Sequence, residues 1–129
     1  MLAPRRGFLE VCELRALLAD DNESSIFSVS NYLETFGIQA ICACTRQECL
    51  ELLEMCNVDV VIVDLVIDGC FSLTCVEKIR EKYPSLPVII WTGYTAEQLP
   101  KHILERFIVI YKPYCLEEVR KLIIKQQPL

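Results

Sequence analysis

Five short apolar runs alternate along this chain with five amphipathic stretches of about 10 to 15 residues, and that rhythm narrows the fold more than any other feature. Leu14–Ala19 reads as a first strand and ends at Asp20-Asp21. Ser24–Phe36 places Ile26, Val29, Leu33 and Phe36 at helical spacing, with Gly37 as a stop. Ile38–Cys44 is a weaker, flanking strand, and Thr45-x-x-Glu48 is a capping-box pattern opening a helix with Leu50, Leu53 and Cys56. Val58–Val63, interrupted only by Asp59, is apolar enough to be buried on both faces. Ser72–Tyr83 is a helix stopped by Pro84, and Pro87–Trp91 is the fourth strand. A short helix runs from Thr95 to about Arg106, with Pro100 tolerated near its first turn. Phe107–Tyr111 is the fifth strand, and Leu116–Gln126 is the last helix, with Leu116, Val119, Leu122 and Ile123 inward. Strict alternation predicts an α/β fold: a parallel sheet with right-handed crossovers laying helices on both faces.

The remaining chemistry excludes several functions. A 53% hydrophobic, 24% charged chain of 129 residues can bury the core of one domain. A net charge of −5 disfavours direct binding to nucleic acid, which rests on neutralising phosphates. No apolar run approaches the roughly 20 residues of a membrane span. Met1–Cys12, with Pro4, Arg5, Arg6 and Gly7, lacks the apolar stretch of a signal peptide and reads as a lead-in or linker before a domain over 13–127. A cytoplasmic location follows as the expectation. The 8 cysteines form no C-x-x-C pair, so zinc-ribbon and thioredoxin readings lack their signature; the expectation is small, buried, reduced hydrophobes.

Ligands of such sheets bind beyond the carboxyl ends of the strands. Strand one ends in Asp20-Asp21, strand three in Asp64, strand four in Thr92, and strand five in Lys112 followed by Pro113. Singly, each has an ordinary explanation: an Asp after a strand forms turns or caps helices, and a lysine sits in solvent. Together they describe something else. Carboxylates gathered at one edge repel unless a cation sits among them. Oxygen ligands in small number suit Mg²⁺, and acids, metal, hydroxyl and lysine together suit phosphoryl transfer.

This set, Asp20-Asp21, Asp64, Thr92 and Lys112-Pro113, resembles the receiver domain of two-component response regulators, over about Leu14 to Ile124. The resemblance implies a flavodoxin-like (βα)5 three-layer fold, its sheet ordered 2-1-3-4-5. It implies that Asp64 is the phosphoacceptor, taking its phosphoryl group from a histidine on a sensor kinase or phosphotransfer protein. Asp21 is then a direct Mg²⁺ ligand, Asp20 holds the metal largely through water, and Asp64 and the Val66 backbone carbonyl complete the protein ligands. Thr92 bonds a phosphoryl oxygen, Lys112 pairs with Asp64 or its phosphoryl group, and the Lys112–Pro113 bond is cis. The fourth and fifth helices offer a surface for a homodimer. Such a domain is a signalling switch and not an enzyme in its own right.

The sequence also departs from that pattern. The aromatic that many receivers carry three residues before the lysine is Val109 here, and Phe107 and Tyr111 share its face at other depths. Asp68 and Ser72 replace a frequent proline and glycine after the acceptor, and the stretch between Thr92 and Lys112 is slightly short. Val66 and Tyr94, two beyond the acceptor and two beyond the threonine, form a bulky pair expected to hinder the water that hydrolyses the acyl phosphate. Little follows Lys112 beyond one helix, so the expectation is a stand-alone receiver or one excised from a hybrid histidine kinase or longer regulator; Thr92-Gly93-Tyr94 resembles hybrid-kinase receivers. The alternatives are a phosphorylation-independent docking pseudo-receiver, an aspartyl-phosphate phosphatase, and a flavin binder. The phosphatase would need an acid where Val66 stands. The flavin binder would need a Ser/Thr/Gly-rich loop where Asp20-Asp21-Asn22-Glu23 stands.

Overall fold

The computed structural model describes residues 14–67 and 69–128; the expected lead-in over 1–12 and the acid Asp68 lie outside the described residues. Five strands form one parallel sheet: β1 (Arg15–Ala19), β2 (Gln39–Ala43), β3 (Val60–Asp64), β6 (Val88–Thr92) and β7 (Ile108–Tyr111), in the order β2-β1-β3-β6-β7. Counting only these five, that is the expected 2-1-3-4-5 order. The numbering differs because two short strands, β4 (Val66–Ile67) and β5 (Cys70–Phe71), pair antiparallel between β3 and the next helix. The helices are α1 (Glu23–Glu34), α2 (Arg46–Met55), α3 (Leu73–Lys82), α4 (Lys101–Arg106) and α5 (Leu116–Lys125).

Alternation along the strands sorts the core into two layers. Leu17, Ala19, Val61, Val63 and Ile90 face one side, with Leu53 of α2, Val76 and Ile79 of α3 and Ile103 of α4. Ala16, Leu18, Ile62, Ile89 and Trp91 face the other, with Val29 and Leu33 of α1 and Val119 and Ile123 of α5. Every residue of β3 and β6 is buried, because helices cover both faces of the middle of the sheet. The edge strands β2 and β7 are partly exposed, which is why Ile38–Cys44 reads as the weaker run.

Local signals set most of the helix ends. Thr45 Oγ1 accepts the Glu48 N–H at 3.0 Å, and Glu48 accepts the Cys44 N–H at 2.8 Å. Asn22 caps α1 by accepting the Ser25 N–H at 3.1 Å. The expected single helix from Thr95 to Arg106 is broken. A 3-10 turn over Ala96–Gln98 ends at Leu99, which is extended at φ −99°, ψ 145°, and α4 begins only after Pro100. Proline pushes the residue before it out of the helical region, so the helix restarts instead of continuing through. The cysteine expectation also needs correction. Cys49 and Cys75 are buried, but Cys42, Cys44 and Cys56 are half-buried and Cys115 is exposed; all six are free thiols. Cys42 packs against the rim of the core from the edge strand β2, Cys44 lies just past that strand, and Cys115 stands just before α5.

Candidate functional site

The parallel sheet delivers Asp20, Asp64, Thr92 and Lys112 to its carboxyl edge, and three of these side chains are held by the same local device. Asp20 Oδ1 accepts the Asn22 N–H at 2.9 Å, Asp64 Oδ1 accepts the Val66 N–H at 3.0 Å, and Thr92 Oγ1 accepts the Tyr94 N–H at 3.0 Å. Each side chain bonds the backbone two residues on, as Asx and Ser/Thr turns do, and each strand therefore stops with its functional group fixed. The other oxygens of the two carboxylates converge. Lys112 Nζ donates to Asp20 Oδ2 at 2.7 Å and to Asp64 Oδ2 at 2.8 Å. Lys112 is brought there from β7: its N–H donates to the Thr92 carbonyl at 2.7 Å, and the Lys112–Pro113 peptide is cis.

The floor beneath this cluster is aromatic. Trp91, fully buried, donates its indole N–H to the Ala19 carbonyl at 3.3 Å, and Tyr114 stacks on it at 5.3 Å between centroids with 7° between planes. Lys112 Nζ lies 5.9 Å from the Trp91 ring centre. Burial pushes the Tyr114 phenol above its usual range.

Two carboxylates share one ammonium, which leaves one negative formal charge in excess. Asp20 is fully buried and Asp64 nearly so. Burial holds the Asp64 carboxyl above the usual carboxylate range; the bonds from Lys112 and the Val66 N–H pull it down, and the Asp20 charge pushes it up again. Burial alone would lower the Lys112 pKa, but hydrogen bonds to both acids raise it above the usual value, so the lysine stays charged. No group of three or more His, Cys, Asp or Glu side chains among the described residues is arranged to hold a metal. Asp21, next to Asp20 in the chain, is exposed. The donor set nonetheless fits Mg²⁺, which takes one or two carboxylates and keeps several waters.

A family model, the response regulator receiver domain, matches residues 16–124. The chain belongs to the response regulator receiver domain family. It is 31% identical over 109 residues to a cyclic di-GMP phosphodiesterase of Thermotoga maritima, covering 83% of this chain and 29% of that protein. It is 30% identical over 83 residues to the regulatory protein VanR of Enterococcus faecium, covering 64% of this chain and 36% of that protein. The receiver thus spans about a third of the length of these relatives. Among solved structures, the receiver domain of a Francisella response regulator superposes with a TM-score of 0.78 at 21% identity, covering 88% of this chain and 95% of that one. The Thermotoga maritima response regulator TrrA, solved with Mg²⁺ and beryllofluoride, gives 0.78 at 22% identity, covering 88% and 99%. Both likenesses describe the receiver fold.

Of the residues singled out in the sequence, Val109 is half-buried against the α2–α3–α4 layer of the core, beside Phe107, and Tyr111 is exposed on the sheet edge. Tyr94 stacks on Phe71, at 5.4 Å between centroids and 15° between planes, and Phe71 pairs directly with Val66 across β4 and β5. Sequence reasoning missed Phe71 because it passed over the hairpin. The signal was present: Asp68-Gly69 between two apolar pairs is a hairpin-turn dipeptide, and Gly69 has φ +71°, in the region that favours glycine.

The charge excess is open to direct measurement. Because burial raises the Asp64 pKa in the folded state, its ionisation works against folding above the usual carboxylate value of about 3.8. Asp64→Asn therefore raises the melting temperature by a few degrees at pH 7 in EDTA, an advantage that fades as the pH falls through the raised folded-state pKa towards that value. Lys112→Ala, which leaves two buried carboxylates facing each other, costs about 3 kcal/mol in urea unfolding under the same conditions. An Asp64→Asn protein less stable than the parent in EDTA contradicts the excess.

Proposed function

We propose that this receiver is a phosphorylation switch in which Asp64 accepts a phosphoryl group from a phosphohistidine. The observation that carries the reading is the convergence of Asp20 and Asp64 on Lys112 Nζ at the carboxyl edge of the sheet. Asp20, Asp21, Asp64 and the Val66 carbonyl would hold Mg²⁺, which would supply positive charge to offset that on the phosphoryl oxygens. An Asp64 oxygen attacks phosphorus as the bond to the donor imidazole nitrogen breaks, and the imidazole leaves carrying a proton. Lys112 then turns from the carboxylate to a phosphoryl oxygen, supplying a charge already in place. The Thr92 hydroxyl accepts the Tyr94 N–H through oxygen and keeps its own proton free to donate to the phosphoryl group. That bond gives the modified state a direct hold on the β6–α4 connection.

Domain bounds of 13–127, a histidine kinase or phosphotransfer protein as donor, and a cytoplasmic location complete the reading. No helix among the described residues is long and apolar enough to cross a membrane, which accords with it. Leu104, Ile108 and Tyr111 expose apolar surface on α4 and β7 and would supply part of a homodimer contact near α5. The phosphodiesterase activity named for the Thermotoga relative belongs to a protein of which this chain matches under a third, and the receiver itself signals without catalysing turnover.

Incubation with acetyl phosphate and Mg²⁺ adds one phosphoryl group, located at Asp64 by mass mapping; Asp64→Asn and EDTA each abolish the gain. Label retained at full level in Asp64→Asn removes Asp64 from the role. The Phe71–Tyr94 stack beside Val66 narrows the approach of water to the acyl phosphate. Phe71→Ala or Val66→Asn accordingly shortens its lifetime several-fold, followed as loss of the phosphoryl mass after the donor is removed. Unchanged decay in both variants counts against the shielding.

A further inference from the structure

The buried thiols of Cys49 and Cys75 belong to helices that pack against each other, α2 and α3, and each is the other's main electrostatic neighbour. They lie in the same packed layer of the core, and the helices around them are already tied at the surface by the Lys82–Glu54 pair at 2.8 Å. The two sulfurs differ in surroundings. Cys75 lines a cavity of about 270 Å³ between α2 and α3, with Thr45, Arg46, Leu50, Thr74 and Lys78 around it. Arg46 Nε is buried beside that opening with no hydrogen-bond partner. Cys75 also sits in the first turn of α3, where unpaired backbone N–H groups favour negative charge. Cys49 is fully buried in α2.

We propose that Cys49 and Cys75 are an oxidisable pair, Cys75 reacting with a peroxide that enters from the α2–α3 cavity and Cys49 closing the disulfide. The Cys75 thiolate attacks one peroxide oxygen; the O–O bond breaks, leaving a sulfenic acid on Cys75 and hydroxide, which takes a proton as water. The Cys49 sulfur, giving up its proton, attacks the Cys75 sulfur; the S–S bond forms and the S–O bond breaks, releasing a second water. Two thiols are oxidised, and one peroxide is reduced to two waters. The direction of attack follows from access: Cys75 lines the cavity, whereas Cys49 is fully buried. The Cys49 thiol, Arg46 and Lys78 stabilise the Cys75 thiolate against the cost of its burial and hold it below the usual thiol range. The hydrogen bond with Cys75 and burial hold the Cys49 thiol above that range. This reaction is independent of phosphoryl transfer at Asp64.

The test uses the full chain, reduced, freed of reductant and treated with hydrogen peroxide, then alkylated under denaturing conditions and mapped without reduction. Cys49 and Cys75 are expected in one cross-linked peptide pair that dithiothreitol separates. In Cys49→Ser the same treatment leaves Cys75 as a sulfenic acid trapped by dimedone, and in Cys75→Ser Cys49 stays fully alkylatable. The proposal is overturned if the parent protein's Cys49 and Cys75 are alkylated as in the untreated control while exposed Cys115 is oxidised. It is equally overturned if Cys75 is recovered bound to another cysteine. The parent map decides the matter even where a variant fails to fold.

Discussion

One ammonium group held between two buried carboxylates organises the rest of this molecule. Lys112 Nζ lies 2.7 Å from Asp20 and 2.8 Å from Asp64, which belong to the ends of neighbouring strands. Burying two acids so close together is costly, and a single lysine offsets only part of that cost. The arrangement persists because the sheet beneath it is rigid: β1 and β3 are paired in register, buried on both faces, and floored by Trp91 and Tyr114. Stability is therefore spent at the edge where charge is wanted, and the remaining negative charge is what a divalent cation and a phosphoryl group would find there.

The three Asp and Thr turns show how little sequence such a site requires. At each of three strand ends, a short polar side chain accepts the N–H two residues on. This both terminates the strand and aims the side chain. The residue identities are consequently sharp in the sequence, and so is their order, because each depends on a local rule. The five sheet strands, the central burial of Val60–Asp64 and the capping of α2 are readable for the same reason.

What escaped the sequence depends on contacts between distant segments or on competing local rules. Pro100 was compatible with a helix start, yet it imposed an extended Leu99 and divided the segment. The β4–β5 hairpin is too short to show periodicity, and its Phe71 acquires meaning only from Tyr94, carried by a different strand end. Tyr114 on Trp91 and Cys49 beside Cys75 likewise join elements far apart in the chain. The cysteines changed most in significance. Their number suggested nothing beyond small apolar filling, whereas their placement separates exposed, half-buried and paired thiols.

These devices leave Asp64 and Thr92 with an unusual pair of neighbours. Val109 stands three residues before Lys112, while two stacked rings, Phe71 of β5 and Tyr94 just past β6, lie on the segments that follow Asp64 and Thr92. Trp91, the single tryptophan, lies directly beneath the charged cluster and makes it observable. The central claim, that the paired carboxylates form an incompletely balanced site for a cation and a phosphoryl group, is tested most directly by Trp91 fluorescence during titration with Mg²⁺ and then beryllofluoride. The account predicts a saturable change with Mg²⁺, a further change with beryllofluoride, and loss of both in Asp64→Asn. A signal that follows ionic strength alone, or one unaltered by Asp64→Asn, would contradict it.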